Sequence, residues 1–508
     1  MSEGRAELRV AVHDARIVTL DSASDDGTQP GWWTPPGGTV VLRAERAGVT
    51  PFSWRRIGDT LHLSAQPATL ADLPPAASIN VATLSLLPHR TFPKDDASCF
   101  IGVHRVLAGT QVEIDSSPDE SPVTTRWWEP AAEPFSNTDN GSASERLWAA
   151  LVEECARAMT RGRAAIMLSG GLDSAALAAA AMVAARRHAL PQPLLLAATY
   201  PGLACDETEY QQMVAAHLEL PLHSVNATEI PLWPAAAQAY ARGETPIVDG
   251  QEGINRSLYV IAREEGCSVI LYGVGADELF QGVGLETDFL RAGRLGDAWT
   301  FLRSLRELRM LSWPDVILRR GLRTATRSSP HGISAEQRRR AGSWARAMLR
   351  RSLAASTAGW RYELADRTAI AESVSLGMPF LGPAVLDAVA DAPSASLLEG
   401  GRLKGLLREA VRPYLPRQVV DRVRKANFQA YFRHRFSVER GELLARYNEL
   451  RPSCPPGLTP PDDPFLAPRG GYDERSFLTA WFWLGIFAFN HFRTNSPRGS
   501  DLNATRAS

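Results

Sequence analysis

The hexapeptide Ser169-Gly170-Gly171-Leu172-Asp173-Ser174 constrains the fold of this chain more than any other stretch. An apolar run, Ala164 to Leu168, leads into it, and an alanine-rich run, Ala175 to Ala185, follows. The first has the length of a buried strand, and the second reads as a helix. A strand, a glycine turn and a helix start together aim several free backbone N–H groups at one point. That point lies at the positive end of the helix dipole, which suits a phosphate. Gly170 and Gly171 supply backbone angles and close approach that a side chain would block. Ser169 and Ser174 add hydroxyl donors. Asp173 is a poor phosphate ligand by itself, but it makes sense with Mg²⁺ between it and the phosphates. The plainer alternative is a serine-glycine turn capping an ordinary helix.

Length and charge set the outer limits. A chain of 508 residues has room for two or three domains. A formal net charge of −1 gives no general pull toward nucleic acid or an anionic membrane. No run of 18 uninterrupted apolar residues suggests a membrane span, and the polar first thirty residues argue against a signal peptide. The five cysteines are scattered, with no Cys-x-x-Cys pair. These features together predict a cytoplasmic protein. Of 55 Lys plus Arg, only Lys94, Lys404 and Lys425 are lysine, and two of these share one C-terminal segment. Coding bias explains the arginines as well as chemistry does.

Residues 1–130 read as a small β-rich domain, with short runs such as Leu8–Val12, Gly38–Ala44 and Thr60–Ser64 between turn residues. Residues 131–144 have linker composition, and helical spacing follows over Leu147, Trp148, Leu151, Val152, Cys155 and Met159. Strand and helix then alternate: Leu194–Tyr200, Glu207–Leu218, Val225, Arg256–Glu265 and Ser268–Tyr272. That alternation predicts an α/β domain over 145–495, a parallel sheet with helices on both faces. Ligands then sit at the C-terminal strand ends, where Ser169–Ser174 and a second glycine turn, Gly273-Val274-Gly275, both lie. Residues 285–351 read as helical, with 15 arginines between Arg291 and Arg351. They suit a solvated helix face or a basic wall for an acidic peptide or phosphates. Ser328–Gly332 reads as a loop, and residues 496–508 as a polar tail.

Several segments occur in register with the hexapeptide: Asp206-Glu207, Glu244-Thr245-Pro246, Gly273–Phe280, Glu372 with Met378–Leu381, Lys404–Arg408, Leu415-Pro416 and Arg422–Lys425. The hexapeptide resembles the pyrophosphate loop of the ATP pyrophosphatases, not the Gly-x-x-x-x-Gly-Lys-Ser loop of kinases. The whole series, over roughly 145–435, resembles the synthetase domain of the asparagine synthetase family. The resemblance implies the adenine nucleotide alpha hydrolase-like fold, with ATP and Mg²⁺ as cofactors. It implies that Asp173 and Asp277 hold the metal, and that Ser169, Gly170, Gly171, Leu172, Ser174, Gly273, Val274 and Gly275 surround the nucleotide. Leu168 and Ala198–Tyr200, including Thr199, would line the adenine pocket. Lys404 and Lys425 resemble the lysines that meet the phosphates and the transition state, although each also suits a surface lysine capping a helix.

The N-terminal region departs from the family. Glutamine-using members carry a cysteine directly after the initiator methionine, and position 2 here is Ser2, with no cysteine before Cys99. Only Gly48–Trp54, Ile101–Ile114 and Arg126–Trp128 resemble the glutaminase domain. The resemblance therefore implies a degenerate glutaminase-like domain and an amine drawn from the substrate or from ammonia. The relatives of that kind are the β-lactam synthetases and the macrolactam synthetases of lasso peptide biosynthesis. β-Lactam synthetases pair a tyrosine between the two glycines of the second turn with a downstream glutamate as base. Glu372 matches that glutamate, but Val274 cannot move a proton. Exclusion then favours a lasso-type cyclase acting on a peptide or small amino-acid-derived substrate, alongside a leader-peptide protease or precursor-binding protein. A β-lactam synthetase, an ammonia-using amidotransferase and a pseudoenzyme scaffold that binds nucleotide or peptide remain alternatives.

Overall fold

The structure, a computed structural model, describes residues 8–13, 18–19, 29–35, 38–117, 119–132, 141–309, 312–314, 316, 332–423, 428–465 and 474–495. At its centre are five parallel strands: β1 (Ala164–Met167), β2 (Leu194–Thr199), β3 (Leu222–Asn226), β4 (Val269–Leu271) and β5 (Ser375–Gly377). Their spatial order is β3-β2-β1-β4-β5. The order reverses between β1 and β4, and in open α/β sheets such a switch point opens a crevice at the carboxyl strand ends.

Strand periodicity explains why both faces are covered. Ala164, Ile166, Leu195, Val269 and Leu271 enter one core, while Ala165, Leu194, Leu196 and Ile270 enter the other. On the first face lie α1 (Gly141–Met159), through Leu147, Leu151 and Cys155, and the alanine-rich α2 (Leu172–Arg187). After β2 comes α3 (Thr208–Leu218). The second face is covered by α4 (Glu252–Glu264), which buries Ile254, Leu258, Tyr259 and Ala262, and by helix Glu474–Asn495, which contributes Trp481, Leu484 and Phe487. Two shorter elements complete the frame near the switch point, α5 (Ala276–Phe280) and, before β5, α6 (Ser356–Ala371). Among the described residues no helix is long and apolar enough to cross a membrane.

The N-terminal region holds two small, mostly antiparallel sheets. Thr60–Ser64 pairs with Ser53–Ile57, and Val40–Arg43 pairs with Thr110–Ile114. Leu42, Leu61, Leu63, Val112 and Ile114 share one small core between them. Arg105 reaches Glu363 of α6 at 2.6 Å with both side chains buried, and Arg46 reaches Asp387 at 2.7 Å.

Several expectations need correction or a boundary. The linker composition of 131–144 ends early, because α1 starts at Gly141 and Ala143 packs into the core. Helix α4 begins at Glu252 rather than Arg256, since Gln251, Glu252, Gly253 and Asn255 leave Ile254 as the one apolar residue of the cap and first turn, too few to show a period. Strand β5 has three residues, too short to show alternation, and was not foreseen. The arginines of 291–351 follow neither single reading. Arg303 and Arg340 make exposed helix-surface pairs with Glu307 and Glu336, whereas Arg346 is buried and bonds the carbonyls of Val389 and Ala392. Ser328–His331 and the tail 496–508 lie outside the described residues.

Candidate active site

The first glycine turn folds on itself through its serines. The Ser169 N–H donates to Ser174 Oγ at 3.1 Å, the two hydroxyls lie 3.0 Å apart, and Ser174 Oγ donates to the Gly171 carbonyl at 3.2 Å. These hydroxyls shape the loop, and the backbone N–H groups at the start of α2 are the donors the turn presents. Gly170 has φ +84, and a Cβ there would stand 2.9 Å from that of Glu207, so glycine is required. Its carbonyl accepts from Arg422 at 3.1 Å. Arg422 also pairs with the buried Glu207 and lies 3.9 Å from the centre of the Tyr210 ring. One guanidinium thus ties the loop to the first turn of α3.

The second turn, after β4, is positioned the same way. Gly275 has φ +97, and a Cβ would fall 2.6 Å from the Leu381 side chain. Helix α5 follows and lifts Asp277 toward the first turn. Between the turns sits Lys404. Its Nζ lies 2.6 Å from both carboxylate oxygens of Asp173 and 2.6 Å from Oδ1 of Asp277. Lys404 is buried, with backbone φ +62. Burial works against its charge, but Asp173 and Asp277 outweigh that and hold the ammonium above the usual lysine range.

A cavity of about 360 Å³ opens beside this bridge. Leu168, Ser169, Asp173 and Ser174 from the first turn line it together with Gly273, Val274, Gly275 and Asp277 from the second. Ala198 of β2 and Tyr200 just beyond its end supply its wall. Burial pushes the Tyr200 hydroxyl well up, and its ring packs edge-on against Phe428 and Tyr431. Gly171, Leu172 and Asp173 border a second, smaller pocket of about 50 Å³ with Arg402, Lys404 and Arg408.

Two predicted residues sit elsewhere. The Thr199 hydroxyl donates to the Val225 carbonyl at 3.2 Å and is not in the cavity wall. Glu372 follows α6 and precedes β5, at the edge where strands begin, since Ser375 pairs with Val269, the first residue of β4. It is buried and held by Arg256 at 2.5 Å and Arg263 at 3.2 Å, and it does not line the cavity. Lys425 lies outside the described residues. Sequence reasoning passed over Gln251 and Asn255, which face the cavity from α4. Their only signal is a four-residue spacing across the cap and first turn of the helix, and Ile254 and Leu258 line the cavity beside them.

The site suits a magnesium nucleotide. Mg²⁺ takes one or two carboxylates and completes its shell with phosphate oxygens and water. Asp173 and Asp277 converge on a single cation, and no group of three or more metal-binding side chains exists among the described residues. The apolar wall of Leu168, Ala198 and Leu196 beside a helix N-terminus matches a base joined to phosphates.

Comparison with known proteins agrees with this geometry. Proteins of Mycobacterium bovis and of two Mycobacterium tuberculosis strains, which carry the provisional name of glutamine-hydrolysing asparagine synthetase, are 24% identical over 405 residues. The aligned stretch covers 68% of this chain and 56% of each relative, so the chain spans little more than half the length of those proteins. The sequence profile of the asparagine synthase family matches residues 147–453, which include both glycine turns, Asp173, Asp277 and Lys404, and the chain belongs to that family.

Proposed function

We propose that this chain is an ATP-dependent, AMP-forming amide synthetase that closes a macrolactam, of the kind found in lasso peptide biosynthesis. A substrate carboxylate attacks the α-phosphorus of ATP, pyrophosphate leaves, and an acyl-adenylate forms. An amine of the same substrate then attacks the acyl carbon and AMP departs. The observation that carries the reading is the Lys404 bridge between Asp173 and Asp277, set at the switch point beside a cavity that both glycine turns line. When bound through Asp173 and Asp277, Mg²⁺ supplies positive charge to the phosphates. Backbone N–H groups of the first turn hold those phosphates, and Arg422 keeps the turn in shape through the Gly170 carbonyl. Lys425 is assigned to the developing oxyanion, as the family motif suggests. Binding both reacting ends in one cavity removes the entropy cost of bringing them together.

Val274 favours a macrolactam over a β-lactam reaction, because a valine cannot replace the tyrosine that moves a proton in the β-lactam synthetases. The test is carboxylate-dependent exchange of labelled pyrophosphate into ATP. Exchange is expected in the wild type and should be lost in Asp277→Asn. Wild-type exchange rates in that variant would remove the metal assignment. Release of glutamate from added glutamine in step with ATP use would remove the intramolecular amine.

A further inference from the structure

A second cavity, of about 680 Å³, lies between the N-terminal sheets and the arginine-rich helices, and none of the residues lining it belongs to either glycine turn. Three separate stretches of chain supply its walls. Arg46 follows strand Val40–Arg43, and Arg126 closes strand Val123–Arg126. Arg90 and Lys94 come from the loop after Leu87–His89, and both are exposed. Arg340, Arg350 and Arg351 come from helices Ala335–Ala341 and Trp344–Leu353. Glu129 is the acid among the described lining residues, and Arg350 holds it at 2.7 Å.

Seven cations from three stretches around one volume differ from a solvated helix face, where both signs alternate along a single element. Part of this charge is already met, since Arg46 pairs with Asp387 and Arg340 with Glu336, each at 2.7 Å. With Glu129 included, the cations still outnumber those carboxylates by seven to three. By sequence, the flanking residues 133–140 add two acids and residues 317–331 add four arginines, so the excess stands. Crowded like charges repel, and a bound anion relieves that. Burial and the neighbouring Arg346 push the Arg350 guanidinium below the usual arginine range, against the pull of Glu129. The volume falls within the range of small-molecule sites, about 300–1,000 Å³. Guanidinium forks match phosphate oxygens two at a time, and the rings of Phe92 and Trp128 add a flat face to the same wall. We infer that this cleft binds a small molecule carrying a chain of phosphates, at a site separate from the nucleotide cavity. The inference goes beyond the synthetase reading and does not depend on it.

The experiment titrates inorganic triphosphate by calorimetry into the full chain, with the nucleotide cavity saturated by a non-hydrolysable ATP analogue. One site is expected, with affinity falling as salt rises. Arg90→Gln with Lys94→Gln removes two exposed cations and should weaken triphosphate binding at least about tenfold. Affinity for the ATP analogue and Tm should not change in that variant. Guanosine triphosphate, titrated in parallel, separates two sources of the same chemistry. No gain over inorganic triphosphate means that phosphate alone is read, and tighter binding means that a base rests on Phe92 and Trp128. Absence of binding at millimolar triphosphate overturns the inference, as does a double variant that binds as tightly as the wild type. So does tighter binding of citrate or of hexaglutamate, which would make the cleft a site for carboxylates or for an acidic peptide. Failure of the ATP analogue to bind would sink the synthetase reading alone, because the double variant still tests the cleft.

Discussion

Lys404 and Glu372 are near mirror images, one buried cation between two carboxylates and one buried carboxylate between two arginines. Both lie within the residues that the family profile matches. Lys404 stands between the glycine turns at the carboxyl ends of β1 and β4 and borders a pocket. Glu372 stands at the edge where β4 and β5 begin, and Arg256 and Arg263 occupy it. A buried charge with two partners is therefore no marker of catalysis by itself. What separates the two is which end of the sheet they occupy, and whether a cavity reaches the group.

The largest test of that contrast is Lys404→Met. Removing the ammonium leaves Asp173 and Asp277 facing one another without their counter-charge, and pyrophosphate exchange should fall by about 10²–10³, the usual loss for one preorganised electrostatic group. An exchange rate within a few-fold of wild type would place Lys404 with Glu372, as a structural ion.

Glu252 sharpens the contrast from the other side. It is a buried carboxylate that accepts a hydrogen bond from the Thr368 hydroxyl at 2.7 Å. Burial raises it from 4.5 to about 7. The folded protein therefore holds that proton more tightly than the unfolded chain. Its contribution to stability is intact below pH 4.5 and is lost as pH rises through about 7. The full shift corresponds to on the order of 3 kcal/mol. Denaturant titrations from pH 5 to pH 8.5 should show Glu252→Gln losing less stability with rising pH than the wild type. Parallel slopes for the two proteins would contradict this.

Glu372→Gln should have the smallest effect on the reaction. It weakens two ion pairs whose arginines are 40% and 47% exposed, so solvent screens much of the loss. Stability should drop by roughly 1–2 kcal/mol, with exchange within about twofold of wild type. A large loss of exchange with unchanged stability would return Glu372 to the reaction.

Much of the sheet was legible because its strands are short apolar runs ended by glycine turns. Ala164–Met167 and Leu194–Thr199 lie within a residue of their expected bounds, since burial on both faces leaves them apolar up to the closing Thr199. Strand β5 was not legible. Ser375–Gly377 is a strand because it pairs with β4, and nothing local announces it. The arginine-rich region shows the same limit. Arg303 and Arg346 look alike in sequence, yet one is paired on the surface and the other is buried against carbonyls.

The candidate site divides along the same line. The sequence alone determined the two glycine turns, the carboxylates that follow them and the apolar strand ends beside them, because a phosphate-binding turn needs those residue types at fixed local spacing. Only the tertiary structure decided that Lys404 bridges Asp173 across 231 positions of chain. It also decided that Thr199 serves the neighbouring strand, and that Glu372 sits at the far edge of the sheet from the cavity. Gln251 and Asn255 belong to this second group, since one helix face carries no meaning until a cavity lies against it. The physical reason is common to all five residues. Local spacing fixes a backbone shape, whereas a side chain's partner depends on which distant segment the sheet order brings within a few ångströms.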